Sequence, residues 1–174
     1  INTIYDPVSL NDKKELAFTT NIRPTSITIS DSVWHIAPGK IQYAKDRLLL
    51  NNIAFNHDKQ HLSLNGIVSQ NLGDSLHIKL NKINLAYVLG LIKFKAVEFS
   101  GYVSGEGNLI GYKDSINGHA LLDVDDFKFN NSPMGPTKVI GRWNSIDKNI
   151  ELDADMGVKG QYTTQVKGYI SPVN

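Results

Sequence analysis

Strict alternation of apolar and polar residues is the feature that most constrains the fold of this chain. Residues 75–81 (SLHIKLN) and 149–156 (NIELDADM) alternate without error. Successive side chains of a β-strand point to opposite faces, so this pattern predicts strands with one apolar face and one solvated face. Such strands are typical of antiparallel sheets, because parallel sheets are covered on both faces. Turn-forming residues between the runs predict a meander of hairpins.

The alternation predicts an all-β, mostly antiparallel fold with one short helix. Residues 84–92 break the pattern, because an N-cap candidate, Asn84, precedes apolar residues at helical spacing. We expect a short amphipathic helix there, with a buried strand as the alternative. The predicted strands lie near residues 15–20, 26–30, 33–36, 40–44, 47–55, 60–69, 74–81, 97–110, 116–130, 137–144, 148–156 and 161–171.

An internal repeat relates two parts of the chain at an offset of 74 or 75 residues. Residues 52–56 resemble 126–130, and residues 64–69 resemble 139–144. The repeat predicts two similar units, about 48–95 and 120–174, within one β-rich fragment (1–174) of a longer protein. It also predicts that Gly66 and Gly141 occupy matching strand positions.

Composition excludes several functional classes. The 18 Lys and Arg against 17 Asp and Glu give a net charge of +1, which argues against a nucleic-acid partner. The absence of cysteine excludes a disulfide scaffold, a thiolate metal site and a cysteine nucleophile. The longest apolar run, residues 85–92, is far shorter than the ~20 residues that span a bilayer.

No group of residues in the sequence carries a strong catalytic or metal-binding signature. His57 and His61 flank a predicted turn, which favours solvated turn residues over a zinc site. Gly105 and Gly107 lack the spacing of a dinucleotide-binding loop, so we interpret them as strand glycines. We therefore expect no enzymatic activity, no catalytic residue, no metal and no cofactor.

Five carboxylates cluster on two predicted strands and leave two interpretations open. Alternating carboxylates normally point into water from one face of a strand, and calcium binding is the less favoured alternative because it needs six to eight oxygens around a point. The five residues are Asp123, Asp125, Asp126, Asp153 and Asp155.

The apolar face of the strands is the remaining candidate site. It is either the core of a closed β-sandwich or the lining of an open groove that holds acyl chains, and composition does not separate the two. The candidate groove-lining residues are Leu62, Leu64, Leu76, Ile78, Leu80, Phe127, Phe129, Val139, Ile150, Leu152 and Val166.

Recurring strand sequences resemble the TamB-like proteins of Bacteroidetes, which belong to the AsmA-like group. The resemblance covers roughly residues 26 to 170 and rests on several short segments rather than on a catalytic motif. The segments are residues 32–41 (SVWHIAPGKI), 50–55 (LNNIAF), 60–66 (QHLSLNG), 74–76 (DSL), 99–105 (FSGYVSG) and 126–135 (DFKFNNSPMG).

The resemblance implies a fold, a location and a function. The fold would be a repetitive, folded-over sheet with an apolar groove, a β-taco. The protein would be periplasmic and anchored to the inner membrane by a segment absent from this chain. It would act in outer-membrane biogenesis, through lipid transport between membranes, assembly of outer-membrane β-barrel proteins, or both.

The resemblance also implies partners. These would be phospholipid acyl chains or an apolar β-strand of a client, and a TamA-like or BamA-like outer-membrane barrel contacted by other parts of the protein. The alternative to a lipid-binding, TamB-like protein is a β-sandwich module for adhesion or scaffolding that holds no lipid.

Overall fold

The alternating segments form antiparallel strands in a computed structural model of the chain. The structure describes residues 2–5, 8–10, 13–15, 17–29, 31–91, 98–112, 116–158 and 161–171. Strands account for 76% of the residues, which confirms the all-β prediction.

Sixteen described strands and one helix follow one another along the chain. The order is β1 (Asn2–Tyr5), β2 (Val8–Leu10), β3 (Lys13–Glu15), β4 (Ala17–Ile22), β5 (Thr25–Ile29), β6 (Ser32–Ile36), β7 (Gly39–Ala44), β8 (Arg47–His57), β9 (Gln60–Val68), β10 (Ser75–Asn84), α1 (Leu85–Leu91), β11 (Phe99–Ile110), β12 (Asn117–Phe129), β13 (Ser132–Pro133), β14 (Thr137–Asn144), β15 (Asn149–Val158) and β16 (Gln161–Ile170).

Fourteen of these strands belong to one sheet, which follows sequence order closely. Its main path is β1–β4–β7–β8–β9–β10–β11–β12–β14–β15–β16. In addition, β13 pairs with β12, and the β5–β6 hairpin joins the sheet where β6 pairs with β8. The sheet is not closed into a barrel. Among the described strands only the β2–β3 ribbon forms a second sheet, so the two large sheets of the alternative sandwich are not found.

The predicted strands correspond to described strands with ends that differ by a few residues. The alternation was sufficient for strands such as β10, in which burial alternates from residue to residue. The largest difference is β10, which continues to Asn84 rather than ending near residue 81. The structure adds β1, β2, β3 and β13, which are too short to show a period. Residues 16, 30 and 97, which belong to predicted strands, lie outside the described residues.

The predicted helix is confirmed as α1, and the alternative of a buried strand is wrong. The Asn84 side-chain oxygen Oδ1 accepts a hydrogen bond from the Ala86 backbone N–H at 3.0 Å, as expected of an N-cap residue. The predicted end of the helix at Ile92 lies outside the described residues.

A β-bulge in β8 keeps its apolar side chains on one face. Leu50 is paired with Gly66, and Ile53 with Leu64, so β8 contains one more residue than its partner over this stretch. Asn52 provides it in a left-handed conformation, with φ of 54°. Its backbone N–H is bound by Asn65 Oδ1 at 3.2 Å, and its own amide donates to the Pro38 carbonyl at 2.9 Å.

In two other strands the alternation of apolar and polar residues also shifts by one position at a left-handed residue. Lys82 in β10 and Asp126 in β12 have φ of 51° and 52°. The buried residue that follows is Ile83 in β10 and Phe127 in β12, one position out of phase with the apolar residues before it. Asn52 and Asp126 are 74 residues apart, which is the offset of the sequence repeat.

The predicted match between Gly66 and Gly141 is wrong. Gly66 has φ of 130° and pairs with Leu50, whereas Gly141 pairs with Ala120 and has room for a side chain. The reason is a difference in hairpin position. An offset of 74 from the turn at residues 58–59 would place the turn after β12 at residues 132–133. That turn instead falls two residues earlier, at 130–131. The similarity of the whole units, about 48–95 and 120–174, stays a prediction.

The chain divides into two compact units, each with its own small set of buried apolar side chains. Unit 1 comprises Ile1–Ile78 and Asn108–Ile116, and unit 2 comprises Lys79–Gly107 and Asn117–Asn174. Among the described residues, the buried apolar side chains of unit 1 are Trp34, Ile53, Ala54 and Leu76, and those of unit 2 are Ile83, Val103, Val124, Phe127 and Met156.

Candidate functional site: the apolar faces of the sheet

Strand register defines the apolar face of unit 1. Directly opposed residues of an antiparallel pair project to the same face. Leu62 lies opposite Phe55, while Ser63, on the other face, lies opposite Ala54. One row of this face runs across four strands, through Phe18, Tyr43, Leu48 and Val68. The Phe18 and Tyr43 rings stack with centroids 5.7 Å apart.

The predicted lining residues of β10 alternate in burial. Leu76 is buried, Ile78 and Leu80 are half-buried, and His77 and Lys79 between them are exposed. This confirms the predicted sidedness of the strand. Leu76 lies beside Gly66 of β9, because a Cβ atom added at Gly66 would be 3.1 Å from the Leu76 Cα.

Unit 2 has a second apolar face, defined by four successive strands. Val139 lies opposite both Leu122 and Ala154, and Ala154 lies opposite Val166. The neighbouring rows on this face bring together Gly141, Leu152 and Gly168, and then Trp143, Ile150 and Ile170. The predicted residues Val139, Ile150, Leu152 and Val166 therefore share one face of unit 2.

The other face of the same four strands carries paired charges. Arg142 lies opposite Glu151, and Lys138 lies opposite Asp155. The Lys167 ammonium is 3.3 Å from the Asp153 carboxylate. A slip of one residue would bury these charges and expose the apolar row, so the two faces fix the register.

Side chains on the apolar faces are mostly half-buried rather than sealed in a core. Val139, Ile150 and Leu152 are intermediate in exposure, and Val166 is 46% exposed. Phe129 is 38% exposed. A closed core of the same residues would bury them almost completely, so the described packing leaves apolar area in contact with solvent.

Of the two predicted aromatic lining residues, Phe127 is more deeply buried than Phe129. It is buried, and its ring stacks on Phe99 with centroids 5.7 Å apart. The Phe99 ring also lies 5.6 Å from that of Phe129. These three rings form a local aromatic cluster on unit 2.

The histidines and carboxylates singled out in the sequence take part in separate local contacts. The His57 Nδ1 atom is 2.8 Å from the Val33 carbonyl, while the His61 Nδ1 atom is bonded to Asn56. Asp155 accepts a hydrogen bond from the Gln165 amide at 3.2 Å. The part of the chain that the structure describes contains no group of three or more His, Asp or Glu residues arranged to hold a metal ion.

The two glycines that lack the spacing of a dinucleotide-binding loop lie inside a strand. Gly105 and Gly107 belong to β11, and Gly105 has φ of 143°. A Cβ atom added there would collide with the Leu121 carbonyl oxygen of the neighbouring strand. The interpretation of these residues as strand glycines is confirmed.

The phenol of Tyr43, in unit 1, has a raised pKa. Hydrogen bonds to Tyr112, which has the larger effect, and to Asp46 raise the pKa of the Tyr43 phenol to about 12. The Tyr43 hydroxyl donates to Asp46 Oδ1 at 3.1 Å. This bond ties the end of β7 to the turn that leads into β8.

Several members of the apolar faces were missed in the sequence. Ile53 and Phe55 belong to the face of unit 1, and Trp143 belongs to that of unit 2. The sequence does contain a signal for Ile53 and Phe55. Apolar residues of this strand recur every two positions, except that Ile53 follows Leu50 by three, which indicates a bulge between them.

Comparison with protein-family models, with curated proteins and with solved structures finds no match for the chain. Among the described residues, no helix has the length and apolar character needed to cross a membrane.

Proposed function

We propose that the chain is a non-enzymatic segment of a periplasmic, TamB-like protein whose apolar sheet faces hold lipid acyl chains. In this proposal the protein acts in outer-membrane biogenesis, by moving lipid between membranes or by assisting the assembly of outer-membrane β-barrel proteins. An inner-membrane anchor and the contact with a TamA-like or BamA-like barrel would lie elsewhere in the protein.

One observation carries the proposal. In each unit, the strand register collects apolar side chains on one face, and on unit 2 those side chains remain half-exposed. A continuous, partly solvated apolar surface is suited to a ligand that supplies the missing apolar contact.

The proposed mechanism is passive. Each methylene of an acyl chain that leaves water contributes about 0.8 kcal/mol, so a partly covered chain is held without any specific polar contact. Rows such as Leu122, Val139, Ala154 and Val166 offer similar aliphatic surface at successive strands. Similar binding energy at successive positions favours sliding of the chain over trapping.

Native mass spectrometry of the 174-residue chain, purified from a Gram-negative cell extract without detergent, tests this function. The proposal predicts additional masses that correspond to phospholipid, released as free lipid on collisional activation. A single apo mass, with no uptake on incubation with phospholipid vesicles, would support the adhesion or scaffolding alternative instead.

A further inference from the structure

The β5 strand is an open edge of unit 1. Within the described part of the chain it pairs only with β6. All five of its residues are exposed, including Ile27 at 37% and Ile29 at 38%. The outward N–H and C=O groups of such a strand are available to pair with another strand.

Within its five residues this edge strand lacks the features that normally prevent pairing between molecules, and the nearest such feature, Pro24, directly precedes it. Its sequence, Thr-Ser-Ile-Thr-Ile, contains no charge, no proline and no glycine. Exposed edge strands are usually protected by charged residues, proline or bulges. The β16 edge strand differs, because it contains Lys167 and Gly168.

The strand is complementary to a second copy of itself. In an antiparallel pair with Ile27 opposite Ile27 of the other copy, each Ser26 would lie opposite a Thr28. Each Thr25 would lie opposite an Ile29. Aliphatic groups then meet on one face, where Ile27 already lies opposite Trp34, and hydroxyl groups meet on the other.

Charges at the two ends of the strand complete this complementarity. Arg23 and Asp31 are both exposed, and both are four residues from Ile27. Neither residue belongs to the strand, since Arg23 precedes the bend at Pro24 and Asp31 lies in the β5–β6 turn with φ of 64°. An antiparallel pair centred on Ile27 places Arg23 of each copy and Asp31 of the other at the same end of the interface. A parallel arrangement would place like charges together instead.

We infer that β5 is a self-association site, at which two copies of the chain join edge to edge about a two-fold axis at Ile27. The occupant of the edge is a second copy because its uncharged, nearly palindromic sequence and its terminal charges match themselves in one register. An interface of five residues per copy is small, so the dimer is reversible and depends on concentration.

Charge exchange tests the register. Sedimentation equilibrium of the full chain is expected to show a monomer–dimer equilibrium. Arg23→Glu, which places a carboxylate near Asp31 of the other copy, should raise the dissociation constant roughly 2- to 30-fold, from two exposed pairs worth about 0.2–1 kcal/mol each. The double variant R23E/D31K should restore it to within about twofold of the parent.

Lys167→Glu, the same charge reversal at the β16 edge, is the matched control and should leave the dissociation constant unchanged. A chain that stays monomeric at all concentrations would overturn the proposal. So would a double variant that dimerises no better than R23E.

Disulfide trapping provides a test that does not depend on charge. The chain has no cysteine, so Ile27→Cys introduces a single thiol. Opposed residues of an antiparallel pair have Cα atoms about 4.5–5.5 Å apart, within the range of a disulfide. In a glutathione redox buffer, I27C should form a covalent dimer at least about tenfold faster than Tyr169→Cys, which places an exposed thiol on the charged face of the β16 edge, away from the proposed acyl-chain face. Equal rates would overturn the proposal, and lipid binding has no bearing on either result.

Discussion

At Gly66 the backbone conformation depends directly on the absence of a side chain. Its φ of 130° is a conformation that L-residues rarely adopt, and an added Cβ would collide with the Ser75 carbonyl oxygen. Gly66→Ala should therefore lower the free energy of unfolding by about 3 kcal/mol or more. Gly168→Ala is the control, since nothing lies within 4 Å of its added Cβ. We expect Gly168→Ala to change stability by less than about 1 kcal/mol in urea titrations. Equal losses would contradict this account of Gly66.

Tyr43 gives the fold a dependence on alkaline pH. Its pKa is raised from 10.0 to about 12 because Tyr112 and Asp46 bond to it. The folded chain therefore retains this proton above the pH at which the unfolded chain loses it, and the stability contribution disappears between about pH 10 and 12. Tyr43→Phe should remove this part of the fall in the free energy of unfolding with rising pH. Urea titrations of both proteins from about pH 8 to 12 measure it, and parallel curves would show that Tyr43 does not contribute.

The N-terminus of α1 can be tested as an isolated element. Asn84→Ala removes the side-chain oxygen that accepts the Ala86 N–H, and such a loss typically costs about 1 kcal/mol. Amide hydrogen exchange should accelerate at Ala86 and Tyr87, while exchange in β14 and β15 stays unchanged. Asn84→Asp is the matched control, because aspartate keeps the accepting oxygen and should preserve protection. Unchanged exchange at Ala86 in N84A would contradict the N-cap assignment.

Strands such as β10 were predictable as elements because one of their two faces is solvated. In β10, Leu76, Ile78 and Leu80 alternate with polar residues, and the structure keeps this order. Left-handed residues were not predictable from alternation, since Asn52, Lys82 and Asp126 are all polar residues in ordinary strand sequence. Only the phase change of the apolar residues around them indicates a bulge.

At the scale of the whole molecule, alternation predicts that each strand has an apolar face but not what that face meets. Leu152 and Val166 would have the same pattern in a sandwich core and in an open sheet. The single sheet follows from pairing between consecutive strands, which the turn signals indicated. The repeat implied the wrong register for its second half, because that hairpin turns at Asn130 and Asn131, where the turn signals lie, and not at the position that the repeat implies.

Adjacent leucines in β12 provide the most direct test that the apolar face of unit 2 holds acyl chains. Leu122 lies opposite Val139 on that face, whereas Leu121, 56% exposed, lies opposite Ile140 on the other. The measurement is titration with a fluorescent fatty acid of the parent chain, Leu121→Asp and Leu122→Asp. Each variant is first shown to be folded by circular dichroism and urea titration.

The account predicts that L121D binds within about twofold of the parent. L122D should remain folded, lose about 1–3 kcal/mol of stability and bind at least about tenfold more weakly, because a carboxylate then lies in the path of the acyl chain. Equal binding by the two folded variants would contradict the central claim.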